Sequence, residues 1–220
     1  MSEGSPGSGG SELNAARVRP GTRAEIGNVN FLITRVLGAA TGGNPPAVFT
    51  TLARHRGLFR RWLLFAGGLM PGGSLPRADT ELVILRVAHN AGCEYEWRHH
   101  AQLGQAAGLT AEQVENVRQG SVAPGFTTHQ LNLLRAADEL HTTHTISDDL
   151  WRELSQQLSN TKLIELCLLI GHYEMLAMTL NALQIAPDPP AARAPSRVVK
   201  VAQAFIERRS AKPDPNRGKS

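Results

Sequence analysis

Residues 93–100 read Cys-Glu-Tyr-Glu-Trp-Arg-His-His. At about 100° per residue on a helix, Cys93, Glu96, Trp97 and His100 fall on one face, and Leu103 and Ala107 continue it. Glu94, Tyr95, Arg98 and His99 point elsewhere. A thiol, a carboxylate and an imidazole therefore share a face with apolar contacts. Burying an unpaired carboxylate costs several kcal/mol, so such groups pair with one another or line a cavity. Glu96 and His100 are spaced i, i+4 and within reach of each other. An imidazole titrates near neutral pH, which makes His100 the candidate proton shuttle and Glu96 the group that orients and tunes it. Cys93 is the candidate thiolate nucleophile. Glu81 faces the same way as Leu85 and Ala88 in the helix upstream. Two antiparallel helices joined at Gly92 would bring it to the mouth of the same site as a second acid or base. The alternative reading is a structural Glu–His pair in a helix bundle with Cys93 as a small core residue.

Other chemistry finds less support. His141 and His144 are spaced i, i+3 beside Asp138 and Glu139, but no closing ligand pair follows, so no metal centre is expected. Gly67-Gly68 and Gly72-Gly73 lack the lysine of a phosphate loop. The second cysteine, Cys167, lies among Leu166, Leu168 and Leu169 and reads as core. It is not a nearby resolving thiol for Cys93. Helical phase turns Arg86 and Arg98 away from the Cys93 face, so neither is assigned to a substrate carboxylate.

The elements that must position these residues are helical. Apolar spacing and breakers predict helices over 26–37, 47–55, 58–70, 77–91, 94–107, 128–144, 147–158 and 160–185, and a short one opened by Thr110. Thr110 and Gln113 have capping-box spacing, and Ser147-Asp148-Asp149 is an N-terminal signal. The stretch Leu82–Ala88 is apolar nearly all round, as in the central helix of a bundle. No segment alternates with period two, so the fold is all-α. Residues 1–24, rich in Gly, Ser, Pro and Arg, read as a disordered leader. Residues 25–186 form the helical domain. Residues 187–220 form a Pro-rich basic tail with an amphipathic stripe at Val198, Val199, Ala202, Phe205 and Ile206.

The chain has 220 residues and a formal charge of +4. Residues 187–220 hold eight basic and three acidic residues, a net of +5, which leaves the body near −1. No basic stripe marks the domain, so no nucleic-acid partner is expected. No apolar run reaches the ~18–20 residues of a membrane span, and Met1–Gly10 has no apolar core of a secretory signal. These features predict a cytoplasmic protein without a membrane partner. The apolar helices Leu82–Ala88 and 160–185, together with Phe59, Trp62, Leu63, Leu64 and Phe65, exceed what one body of this size can bury. A homo-oligomer is therefore expected, with Leu58–Met70 or the tail stripe in the contact.

The stretch Pro76–Gly108 resembles the carboxymuconolactone decarboxylase and alkylhydroperoxidase D family. In the peroxidase branch a glutamate precedes a Cys-x-x-Cys, and a histidine follows four residues on. Glu81, Cys93 and His100 fall on the glutamate, the first cysteine and the histidine, and Glu96 stands at the second cysteine. The decarboxylase branch carries Glu-His-Glu and then a histidine. Glu94, Glu96 and His100 match it, with Tyr95 at the intervening histidine, and Cys93 departs from it. The segment 160–185, with Gly171-His172-Tyr173, is similar to the family's closing helix, and the likeness spans roughly 54–185. It implies an all-helical alkylhydroperoxidase D-like bundle assembled as trimers or hexamers, and an enzyme that acts on a small molecule without an organic cofactor. His100, Glu96, Cys93 and Glu81 would be catalytic, and Tyr95 and Trp97 would contact substrate. Acid–base chemistry on an organic acid, lactone or carbonyl compound is the first expectation. Thiol peroxidase chemistry at Cys93 is the second, and a non-catalytic binding protein the third.

Overall fold

The computed structural model describes residues 16–40 and 44–189. The rest of the expected leader and the stripe at Val198–Ile206 lie outside the described residues. Among those described, the elements are α1 (Arg23–Ala40), α2 (Ala47–Leu52), α3 (Arg56–Leu69), α4 (Arg77–Asn90), α5 (Glu94–Ala106), α6 (Ala111–Asn116), a 3₁₀ segment over Val117–Val122, α7 (Thr128–Thr143), α8 (Asp148–Gln157) and α9 (Asn160–Leu183). The fold is all-α.

The bundle is built around α4, which packs on α5, α7 and α9. Every residue from Asp79 to Leu85 is buried, as are Val87 and Ala88. Its unbroken apolar run follows from having two layers to satisfy. Val83, Ile84 and Val87 join Leu133, Leu150, Leu154, Leu166 and Ile170 on one side. Leu82, Leu85 and Ala88 join Trp97, Leu109, Val114 and Leu134 on the other. A smaller cluster of Ile26, Ala53 and Phe59 fixes α1 to α2 and α3.

Local chemistry sets the helix ends. α4 stops at a turn in which the N–H of Cys93 donates to the carbonyl of Ala88 at 2.8 Å and that of Gly92 to His89 at 3.1 Å. Gly92 sits at φ 59°, the left-handed conformation that favours glycine after a helix. Thr110 and Gln113 form the capping box that their spacing predicts. Thr127 and Gln130 form a second one at the start of α7.

Two boundaries differ from the composition reading. Residues 17–22, assigned to the leader, lie against the domain: the N–H of Arg17 donates to the carbonyl of Leu183 and that of Gly21 to Thr50, both at 3.0 Å. A run poor in apolar residues is held here by backbone bonds, which composition does not report. α1 itself begins at Arg23. At the other end, Asp188 of the expected tail is tied to the body. Its carboxylate accepts from the N–H of Ala47 at 2.9 Å and from the hydroxyl of Tyr95.

Candidate active site

α4 and α5 run antiparallel from the turn at Gly92, and the small side of Gly104 lets them lie close. A Cβ at Gly104 would stand 3.4 Å from Leu85 and 3.7 Å from the Cβ of Glu81. That approach sets Glu81 against His100. Glu81 is completely buried. Its Oε2 lies 2.7 Å from His100 Nδ1, and Arg77 Nη2 lies 2.6 Å from its Oε1. The partner of His100 is thus Glu81 and not Glu96, although Glu96 has the i, i+4 spacing. An imidazole that gives its Nδ1–H to a buried carboxylate is fixed in orientation and keeps Nε2 for proton exchange.

Glu96 is also buried, and neither carboxylate oxygen has a hydrogen-bond partner among the described residues. Burial pushes its carboxyl up to about 8; the neighbouring Cys93 thiol pulls it down and the charge of Glu174 adds to the rise. At neutral pH it is therefore a protonated acid. Cys93 caps the N-terminus of α5, a position that usually favours a thiolate. Here burial wins: the thiol is pushed up to about 12, Glu96 adds to the rise, and the backbone N–H groups of Glu96 and Tyr95 only partly oppose it. A thiol so held is not activated.

Tyr173 of α9 packs beside this pair, its hydroxyl donating to Met70 Sδ at 3.6 Å. Its ring stands edge-on to His100, with centroids 5.1 Å apart. Its hydroxyl is held well above its usual range by burial and by the nearby charges of Glu81 and Glu96, so it stays a neutral donor. Beside it, His172 is stacked on Trp62 at 6.0 Å and meets Phe65 at 5.4 Å. Burial lowers its pKa to about 4, so this imidazole is neutral.

Trp97 and Tyr95 go different ways. Trp97 lines a cleft of about 120 Å³ with Cys93, His89, Gly92 and Arg118, and the Arg118 guanidinium lies 3.7 Å over its ring. Tyr95 is turned to the opposite side of α5. Its hydroxyl donates to Asp188 and accepts from the N–H of Val48 at 3.3 Å, so it positions structure and does not offer a free substrate contact. A wider, open depression of about 590 Å³ at Arg23, Gly27, Asn28 and Arg56 contains none of these residues. The chain Arg77–Glu81–His100–Tyr173 and the acid Glu96 thus sit inside the bundle, with Cys93 at the wall nearest the cleft. His141 pairs with Glu174 at 2.8 Å, and His144 ends α7 in the left-handed region.

Sequence reasoning missed Arg77, Tyr173, Glu174 and Arg118. Arg77 was legible, being i, i+4 from Glu81. The other three reach the site through tertiary packing and carry no local signal.

Residues 56–139 match the sequence profile of the carboxymuconolactone decarboxylase family, and this segment holds Glu81, Cys93, Glu96 and His100. No curated protein sequence matches the chain. Solved structures share its fold. An uncharacterized peroxidase-related protein from Ralstonia eutropha, described as an alkylhydroperoxidase AhpD core, superposes with a TM-score of 0.72 at 16% identity, over 82% of this chain and 98% of that one. A peroxidase-related protein from a Silicibacter species gives 0.68 at 15% identity, over 79% and 95%. The debrominase Bmp8 gives 0.65 at 15% identity, over 86% and 97%. The decarboxylase-family segment is therefore set in an AhpD-like helical bundle.

Proposed function

We propose that this carboxymuconolactone decarboxylase-family protein is an enzyme that runs acid–base chemistry on a small organic acid, lactone or related carbonyl compound. The observation that carries the reading is Glu96, a buried carboxyl with no nitrogen or oxygen partner among the described residues and the Cys93 thiol beside it, held up to about 8. A protein keeps such a group only at a cost in stability, and its chemical use is to donate a proton near neutral pH. In a decarboxylation the bond from carbon to the substrate carboxylate breaks, CO₂ leaves, and the electron pair stays on carbon. Glu96 then supplies the proton to that carbon. His100, oriented by Glu81, returns a proton from solvent and resets the acid. In a lactone or carbonyl conversion the same pair serves as base and acid. The cleft reaches Cys93, Trp97 and Arg118 but is not lined by Glu96 or His100, so substrate would enter past Cys93 to meet the acid.

The test is turnover of a panel of small carboxylic acids and lactones by the wild type and by Glu96→Gln. Wild-type activity should fall as pH rises through about 8, because the acid is then ionised. Glu96→Gln should lose activity at least a hundredfold, the scale of a general acid, with its helical content unchanged. A fully active Glu96→Gln protein sinks the reading.

Thiol peroxidase chemistry is the second reading. It is favoured by the place of Cys93 in the cleft wall and by the peroxidase-related proteins that share the fold. The debrominase Bmp8, which has also been solved as a cysteine-to-alanine variant with 2,3,4-tribromopyrrole, keeps cysteine chemistry in view for this fold. Against it stand the thiol's rise to about 12 and the carboxylate at position 96. Cys93→Ser separates the two readings: acid–base turnover survives it, and peroxide reduction with an external thiol does not.

A further inference from the structure

Arg118 stands in the wall of the cleft of about 120 Å³ beside Cys93, and its surroundings fix it there. Its guanidinium lies 3.7 Å over the ring of the buried Trp97. Its backbone is held from behind. Arg86 Nη1 donates to the carbonyls of Val117 at 3.0 Å and Arg118 at 2.9 Å, while Arg86 Nε donates to Asp138 at 2.5 Å. Gly120 completes the fit, because a Cβ there would stand 2.6 Å from the Arg86 guanidinium. Glu115 takes only the Nε of Arg118, at 3.1 Å, and its side chain is 67% exposed, so this pair is screened by solvent. The two Nη groups are unused among the described residues. Glu94, the one carboxylate in the cleft's lining, is paired with Arg98 at 2.6 Å. His89 is neutral: burial lowers its pKa, and the charges of Arg86 and Arg118 lower it further. The cleft therefore offers an unspent cation and an aromatic wall, with no free carboxylate in its lining.

We infer that Arg118 anchors a carboxylate of the substrate that is not the reacting group, so that this site selects acids bearing a second, reactive function. The inference rests on the acid–base reading of Glu96. A guanidinium with both Nη groups free takes a carboxylate through two parallel N–H···O bonds. The cleft has room for about four water-sized groups, enough for that carboxylate and a short carbon chain leading past Cys93 toward Glu96. Arg118 does not hold the carboxylate that is lost. Pairing with a guanidinium stabilises the carboxylate and not the neutral CO₂ forming from it, and so opposes cleavage of its bond to carbon. A decarboxylation here therefore takes a dicarboxylate. One carboxylate stays on Arg118. The other leaves as CO₂, and its bonding electron pair remains on carbon until Glu96 protonates it. In a lactone or carbonyl conversion the anchored carboxylate is a substituent beside the reacting carbonyl, and neutral lactones are poor substrates.

Glutarate and its neutral diamide are the probes. In an N–H correlation spectrum of the isotope-labelled full chain, the indole resonance of Trp97, identified by its loss in Trp97→Phe, should shift saturably with glutarate. It should stay in place with the diamide at equal concentration. Arg118→Gln should weaken glutarate binding roughly tenfold or more with unchanged circular dichroism. Arg118→Lys keeps the charge but loses the paired donors, and should bind between wild type and Arg118→Gln. With the acid and lactone panel, Arg118→Gln should raise KM for carboxylate-bearing substrates and leave kcat little changed. No saturable shift with glutarate overturns the inference. So does equal binding of the diamide, glutarate binding unchanged in Arg118→Gln, or turnover of neutral lactones as fast as of their carboxylate-bearing counterparts. The two readings fail separately. A fully active Glu96→Gln protein that binds glutarate through Arg118 sinks the acid and keeps the anchor. An inactive Glu96→Gln protein whose glutarate binding ignores Arg118→Gln sinks the anchor alone.

Discussion

At the residue scale the most informative group is Glu96, because its two roles have opposite signs. Its folded pKa is raised from 4.5 to about 8, so the folded state holds a proton that the unfolded chain releases. Stability therefore falls as pH rises from about 4.5 to about 8 and is lowest above that window. Glu96→Gln should match the wild type near pH 4 and exceed it by a few kcal/mol at pH 8, as read by urea unfolding at both pH values. The variant that loses activity would then be the more stable one. Glu81 behaves in the opposite way. It is buried between Arg77, whose side chain is 31% exposed, and His100, and removing its carboxylate leaves the buried imidazole without its partner and a void in the bundle. Glu81→Ala should cost about 3–5 kcal/mol. His100→Ala leaves the Arg77–Glu81 contact in place and should cost clearly less while still abolishing turnover. Equal losses in the two variants would contradict this ordering. The residue types and the faces they share were legible in the sequence. Which carboxylate His100 takes as partner was not, because i, i+4 spacing marks a neighbour on the same helix and gives no weight to a neighbour on the next.

At the element scale the helices were readable almost throughout. The predicted spans 77–91, 94–107 and 128–144 meet α4, α5 and α7 to within a residue, because Pro76, Gly92, Gly108 and Thr127 punctuate strongly periodic runs. What local pattern does not show is how one helix pins a distant turn. Thr80–Leu85 and Ile164–Leu169 look alike in sequence, each setting a glutamate in an apolar helix, yet their glutamates do different work. Glu81 faces the site. Glu165 of α9 reaches back to the turn before α4, where its carboxylate accepts from the N–H of Ser74 at 2.6 Å, the N–H of Leu75 at 3.0 Å and the Ser74 hydroxyl. These bonds hold the entry to α4, and hence the height of Glu81 along it. Glu165→Ala should cost about 2–4 kcal/mol, the scale for charged hydrogen bonds whose donors are left behind in a partly buried turn. Thermal denaturation would show it as a lowered midpoint, and an unchanged midpoint would remove the clamp from the account.

At the scale of the whole molecule, the two ends of the described chain close on the bundle. Arg17 bonds to the end of α9, and Asp188 links α9's exit to both α2 and Tyr95. Composition marked both stretches as peripheral, since a backbone bond or a single carboxylate leaves no hydrophobic signature. Asp188→Ala should cost about 1–3 kcal/mol, because it strips an acceptor from a buried tyrosine hydroxyl; urea unfolding at pH 7 measures it. Position 96 stands apart from all of these attachments. Among the described residues Glu96 makes no hydrogen bond to the rest of the framework, so the framework and the chemistry it hosts are separable parts. Exchanging the side chain there, Glu96→Cys for instance, breaks no structural bond and places a second sulfur one helical turn from Cys93. A single codon would then stand between a proton donor and a dithiol on an unchanged scaffold, so that descendants of one such bundle can diverge in reaction without first diverging in shape.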